Sequence, residues 1–352
     1  MSNNKDNTHA PLKVVQWATG NIGSRALAAV IDHPQLELAG VYVYSADKAG
    51  KDAGELCGRA PIGVKATNSI DEIVALQPDC VLYMGQWCNL DELSRLLAAG
   101  INVVTTRIDF HNPKMMDVEI RERIEQACRT GGASIYSTGS SPGFITEVIP
   151  LALLSIQRRL DRLVIDEFAD LTTRDSPELL FDIMGFGQPP ATFGEERLAH
   201  VKQGFSLSLS QIADAIGMPF DDVTVTGEVA LVTEDVTIAA GVLKAGTVGA
   251  QRITISGMRA GKALMEMRLN WYCTNKIDKD WELRGNGWRV QVFGDTPLDV
   301  SLAFSIPVDI VAETTPGYTA HRAVNAVSVV CAAEPGIRTT AELPQVISYL
   351  GK

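Results

Sequence analysis

A doubly wound α/β sheet followed by a smaller α+β region is the architecture this sequence predicts. Two observations carry the prediction. From Lys13 to Ser137, short apolar runs alternate with amphipathic segments, the pattern of strands joined by crossover helices. From 223 to 304, period-2 runs such as "VTVTGEVALV", "QRITISGM" and "ALMEMRLNWYC" follow one another across Gly turns without helices between them, which implies an antiparallel or mixed sheet.

The elements follow in order. "KVVQW" reads as a strand, 22–31 as a helix and "LELAGVYVY" as the second strand, with a Gly-rich connection through "KAGKDAGELCG". Ser69 with Glu72, and Asn89 with Glu92, mark two helix starts. "DCVLYMG" is apolar enough for a strand buried on both faces, "INVVTT" is the next strand, 118–129 a helix and "ASIYS" a strand. A long helix is expected over 144–159, then the strand "RLVIDEFADL" and two or three helical segments up to Ile216. A last helix over 318–333, closed by "EPGI", is expected to return to the first sheet. The chain thus divides into a polar, disordered tail (1–10), a first domain (11–150), an α+β domain (151–315) and a returning C-terminal segment (316–352).

Composition narrows the function. A formal net charge of -11 argues against nucleic acid or an anionic membrane as the main partner, because both require a basic face. The six cysteines form no C-x-x-C pair and no histidines interleave with them, so no metal site is expected. They read as reduced thiols of a cytoplasmic protein. No apolar stretch approaches the ~20 residues of a membrane span.

Ala18-Thr19-Gly20-Asn21-Ile22-Gly23 matches G-x-G-x-x-G with Ala in the first place. It follows a strand and opens a helix, the context a dinucleotide-binding turn requires. Ala18 is small enough for the turn, Gly20 lets the backbone approach a pyrophosphate, and Gly23 permits close packing of the helix. The helix start at Ile22 then points N–H groups and a positive dipole end at the phosphates. The first domain therefore reads as dinucleotide-binding, with an ordinary structural turn as the alternative. Its second strand ends in Tyr44 and Ser45, where an NAD-specific fold places an acidic residue. With Ser45 as a phosphate donor and Lys48 as a cation, NADP is favoured and NAD stays possible, since Asp47 argues the other way. Gly85 and Thr106, at the ends of "DCVLYMG" and "INVVTT", are counted with the cofactor residues. So is Gly139, in the turn "TGSSPG", which is read as shaping the nicotinamide and substrate pocket.

Acid/base candidates lie where ligands bind in open α/β sheets, after a strand's C-terminal end. Asp109 and His111 in "RIDFHNP" occupy that place, with a turn role and a loop-histidine role as their alternatives. On the last helix His321 and Asn325 share a face, and Asn325 is a candidate donor to the nicotinamide amide. In the second domain Asp166 and Asp170 share a strand face and Glu167 points to the other. A solvated face and core or dimer packing are the readings given to these carboxylates and to Trp271, Tyr272, Trp281 and Trp288.

"VVQWATGNIGSRAL", "VYVYSADKAGKDAGELCG", "INVVTT", "TGSSPGF" and "AVNAVSVVCAAEPGI" run in an order that resembles the dihydrodipicolinate-reductase-like NAD(P)-dependent oxidoreductases. More narrowly, the chain resembles their 2,4-diaminopentanoate dehydrogenase and native amine dehydrogenase branch. The resemblance implies a Rossmann domain with an α+β substrate and dimerisation domain, hence a homodimer. It also implies reversible reductive amination of a small ketone or aldehyde with ammonia. Two departures stand out. The paired histidines of true dihydrodipicolinate reductases are missing, and the glutamate that amine dehydrogenases carry after the "NVVTT" strand is replaced by Arg107-Ile108-Asp109. A carbonyl reductase without ammonia, or a non-catalytic NADP-binding protein, therefore remain alternatives.

Overall fold

In chain order the computed structural model, which describes residues 10–351, contains β1 (Leu12–Trp17), α1 (Asn21–Asp32), β2 (Leu36–Tyr42), α2 (Ala53–Leu56), β3 (Ala66–Thr67), α3 (Ile70–Ala75) and β4 (Cys80–Tyr83). These are followed by α4 (Leu90–Ala98), β5 (Asn102–Thr105), α5 (Val118–Gly131), β6 (Ser134–Ser137), α6 (Ile149–Leu154), β7 (Leu160–Asp170) and α7 (Glu195–Ala215). The remainder is β8 (Asp222–Leu231), β9 (Val236–Ile238), β10 (Gly241–Leu243), β11 (Val248–Arg259), β12 (Lys262–Tyr272), β13 (Gly287–Gly294), β14 (Leu298–Ala303), α8 (Val311–Asn325), α9 (Val327–Cys331) and β15 (Gly336–Arg338). Residues 1–9 of the expected tail lie outside the described part.

Two compact units result. One holds the described residues up to Ser140 and from Pro316 on, and the other is Ser141–Thr315. The division thus falls about ten residues before the end expected for the first domain.

The first unit carries a seven-stranded, wholly parallel sheet in the order β15-β6-β5-β4-β1-β2-β3. It is the α/β class that the alternating pattern predicts. β4 is buried along its whole length, as a central strand covered on both faces must be. One face is filled by Val15, Val81, Leu93, Leu96 and Leu97, the other by Val14, Leu82, Val104, Ala323 and Val327. Local signals fix the helix starts. Ser69 Oγ accepts from the Glu72 N–H at 3.3 Å, and Asn89 Oδ1 accepts from Asp91 and Glu92. The capping box at Ser69 is only half formed, because its own N–H goes to Thr67 Oγ1.

Three element readings change. The helix expected over 144–159 ends at Leu154. The N–H groups of Arg158 and Arg159 turn away to Asp295 Oδ1, and this pairing pulls the Asp295 carboxyl down to about 2. The last helix starts earlier than 318 and breaks at Ala326 into α8 and α9. "EPGI" then does more than close it: Gly336–Arg338 pairs with β6 as the outer strand, too short to show a period.

The second unit is built on a six-stranded mixed sheet, β14-β13-β7-β12-β11-β8, in which only β7 and β12 run parallel. Its inner face, with Leu163, Ile165, Met265, Met267 and Val290, packs on α7 through Leu209 and Ile212. Its other face is polar and concave. Asp166 there is buried, not solvated, and burial pushes its carboxyl up while Arg268 pulls it back.

Candidate functional site

The turn between β1 and α1 is held from within the sheet. Gln16 is fully buried, and its Nε2 donates to the Ala18 carbonyl at 2.9 Å and to that of Trp17 at 3.2 Å. Ala18 takes φ 68°, the left-handed region that glycine normally occupies at this place. Its N–H reaches the Tyr42 carbonyl at 2.8 Å, tying the turn to β2. A Cβ on Gly23 would fall on the Ala18 carbonyl oxygen, so the helix start and the turn can touch only through a glycine. Gly20 is different. It is the N-cap of α1, with ordinary extended dihedrals, and a Cβ there would meet nothing within 4 Å. It contributes no side-chain cap, and the first turn of α1 holds no acidic residue. The N–H groups of that turn, which lack intrahelical acceptors, are left for an anion.

A cleft of 550 Å³ opens over this turn. Ala18, Gly20, Asn21, Ile22, Gly23, Ser45, Lys48, Gly85 and Thr106 all line it. They come from four separate segments, after β1, β2, β4 and β5, at the C-terminal edge of a parallel sheet. Lys48 Nζ sits 3.3 Å from both the carbonyl and Oγ1 of Thr19, so its charge is carried to the glycine turn. The Ser45 hydroxyl donates to Asp47. That bond holds the Asp47 carboxyl below its usual range, and Lys51 and Lys48 reinforce it. The residues fit a dinucleotide diphosphate: N–H groups without intrahelical acceptors, the Lys48 cation beside Thr19 and the space above Gly20.

Sequence reasoning passed over Gln86 and Arg107, which also line the cleft, and did not weigh Tyr44 as a lining residue. Tyr44 is 49% exposed, but its hydroxyl is fixed: Trp17 Nε1 donates to it at 2.9 Å, and it donates to Glu92 Oε2 at 3.0 Å. Gly85 leaves room for that hydroxyl, which would lie 3.0 Å from a Cβ there. Glu92, read as a cap partner, is the acceptor of both Tyr44 and Tyr83. The signal available was position alone, since each of these residues closely follows the end of a parallel strand.

Asp109 lies on a single 3-10 turn pinned by the fully buried Phe110. Its Oδ2 accepts from Arg107 Nε at 3.0 Å, while Arg107 Nη1 donates to the Gln86 carbonyl at 2.5 Å. The carboxylate is thus joined through Arg107 to the wall of the cleft. His111 is 2% exposed, a buried histidine and not the loop histidine that was its alternative. Gly139 lies outside the cleft lining, in a segment whose neighbours Ser140 and Thr138 bond Thr319 and Arg322 of α8. Asn325 is placed elsewhere. It lines a separate cavity with Leu12, Gln35 and Leu36, at the start of β1 and β2, the opposite end from the nucleotide turn. The reason is the helix face. Ala320, Ala323 and Val324 are buried against Val14, Ala26 and Val30, which leaves Asn325 beside the N-terminal edge.

Two family models match the chain. The 2,4-diaminopentanoate dehydrogenase C-terminal domain covers residues 194–352, and the dihydrodipicolinate reductase N-terminus covers 14–119. An amine dehydrogenase of Streptomyces virginiae is 28% identical over 360 residues, spanning 97% of this chain and 99% of its own. A 4-hydroxy-tetrahydrodipicolinate reductase of Synechococcus elongatus is 27% identical over 122 residues, 33% of this chain and 45% of that protein. Among solved structures, an amine dehydrogenase from Mycobacterium smegmatis shares the fold, with a TM-score of 0.74 at 19% identity over 97% of this chain and 98% of that one. The GenD2 protein of gentamicin A biosynthesis, solved with NAD, follows at a TM-score of 0.52 and 15% identity, over 93% of this chain and 89% of that one. With both of its units matched in the expected order, the chain is an NAD(P)-dependent oxidoreductase that resembles, nearly end to end, the 2,4-diaminopentanoate dehydrogenase and amine dehydrogenase branch of the dihydrodipicolinate-reductase-like proteins.

Proposed function

We propose that this NAD(P)-dependent oxidoreductase interconverts an amine and its imine, the redox step in reductive amination of a small ketone or aldehyde with ammonia. One observation carries the reading: the similarity to an amine dehydrogenase runs through both units and nearly end to end. The bound nicotinamide dinucleotide supplies or accepts the hydride. The chain's own residues do the rest. Backbone N–H groups at Gly20, Asn21, Ile22 and Gly23 bind the diphosphate, Ser45 and Lys48 receive the 2′-phosphate of NADP, and Gly85 and Thr106 shape the cofactor's surroundings. Asp109 takes the proton that nitrogen loses as ammonia adds to the carbonyl and returns it to the hydroxyl that leaves as water, with Arg107 setting its orientation, and His111 is the second candidate for that shuttle. The protein acts in the cytoplasm as a homodimer through its second domain.

Activity should depend on ammonium: NADPH consumption with a panel of small ketones is expected with it and not without it. Carbonyl reduction without ammonia is the second reading. It is favoured by the Asp109–Arg107 pair, because one of the two carboxylate oxygens that would take the proton already accepts the Arg107 Nε–H at 3.0 Å. Rates indifferent to ammonium would select it.

Cofactor choice has its own test. Lys48→Ala is expected to weaken NADPH binding by roughly 5–30-fold, the value of a charge-assisted contact, and NADH binding far less. Equal losses for both, measured by titration, would mean that Lys48 serves only to hold Thr19.

A further inference from the structure

Glu167 presents an unusual arrangement on the inner face of the second sheet. Along β7 this face carries Leu163, Ile165 and then Glu167. The neighbouring strands contribute Met265, Met267, Leu269 and Trp271 from β12, and Trp288, Val290 and Val292 from β13. A carboxylate thus ends an otherwise apolar row. Each of its oxygens accepts one indole N–H, Oε1 from Trp271 and Oε2 from Trp288, both at 3.1 Å. Among the described residues no Lys, Arg or His pairs with it. The opposite face behaves differently: there Glu266 takes both Arg162 and Arg268.

An ionised carboxylate half-buried among aromatic and aliphatic side chains normally has a counter-ion. Here the two neutral donors fix its position without cancelling its charge. Each oxygen keeps capacity for a further hydrogen bond. Its surroundings are aromatic and aliphatic: Trp288 meets Phe304 edge to face with ring centroids 4.5 Å apart. A partner that fits is a small cation that donates N–H bonds and carries apolar bulk, which describes a primary alkylammonium.

We propose that Glu167, clamped between Trp271 and Trp288, binds the protonated amine of the substrate. The proposal rests on the amine reading above and supplies what Asp109, bonded to Arg107, does not: a carboxylate without a protein cation. No bond is made or broken at Glu167, which acts as a binding residue in the second unit.

The test uses the whole chain without cofactor. Pentylammonium is titrated against it, and the Trp271 and Trp288 indole N–H resonances are followed by NMR, assigned from Trp271→Phe and Trp288→Phe. Both resonances should shift saturably with pentylammonium and stay in place with 1-pentanol. Glu167→Gln should weaken the response by roughly 10–100-fold, the loss of a charged partner, and Glu167→Asp should recover part of it. Where Glu167→Gln fails to fold, the comparison of ammonium with alcohol on the wild type and on Glu167→Asp decides. Equal shifts with the alcohol, or full affinity in Glu167→Gln, would overturn the proposal. A kinetic arm separates it from the amine reading. Ammonium binding at the indoles in a protein that turns over no amine would sink that reading and leave this site standing. Amine turnover with an unchanged KM in Glu167→Gln would sink this site alone.

Discussion

Gly20→Val is expected to raise the NADPH dissociation constant by at least about 100-fold while leaving the chain folded. The size follows from losing charge-assisted bonds between the diphosphate and the backbone N–H groups, each worth about 1.5–3 kcal/mol. The fold is expected to survive for two reasons. Gly20 has φ -74° and ψ -165°, which valine also adopts, and its added Cβ would touch no atom within 4 Å. That open space is where a diphosphate must approach. Gly23 offers no such clean test, because a side chain there collides with the Ala18 carbonyl and opens the turn itself. Isothermal titration of the folded variant measures the effect. Unchanged affinity would mean that the turn binds no nucleotide.

Asp109→Asn should lower the ammonia-dependent rate by about 10²–10⁴-fold, the usual contribution of a general base. NADPH affinity is expected to stay within a few-fold. The asparagine keeps an oxygen for the Arg107 Nε–H and loses only the charge, so the path from Arg107 to Gln86 and the cleft wall is preserved. The split matters. A fall in NADPH affinity with kcat intact would show that Asp109 acts only by placing Arg107. Stopped-flow measurement of hydride transfer at saturating NADPH separates the two.

The sequence made some of this visible for physical reasons. The glycine turn could be recognised because its constraints are local: a left-handed residue at Ala18, a helix start without a cap, and a glycine where helix and turn touch. The helix starts at Ser69 and Asn89 were visible for the same reason, each cap reaching two or three residues ahead. What stayed hidden depends on distant partners. Helix α6 stops early because Asp295, more than a hundred residues later, takes the N–H groups of Arg158 and Arg159. Strand β15 exists because β6 offers an edge. Asn325 shares a helix face with His321, as its spacing says, but spacing does not say which end of the sheet that face meets. Glu167 was assigned correctly to the face opposite Asp166, yet nothing local shows that two tryptophans from β12 and β13 close over it.

The central claim is that hydride and nitrogen are delivered to the same carbon. It can be measured in one experiment: a small ketone is incubated with the protein, NADPH deuterated at the transferred C4 position and ¹⁵N-ammonium, and the product is read by mass spectrometry. The account predicts an amine carrying both the deuterium and the ¹⁵N. Deuterium recovered in an alcohol that holds no ¹⁵N would contradict it.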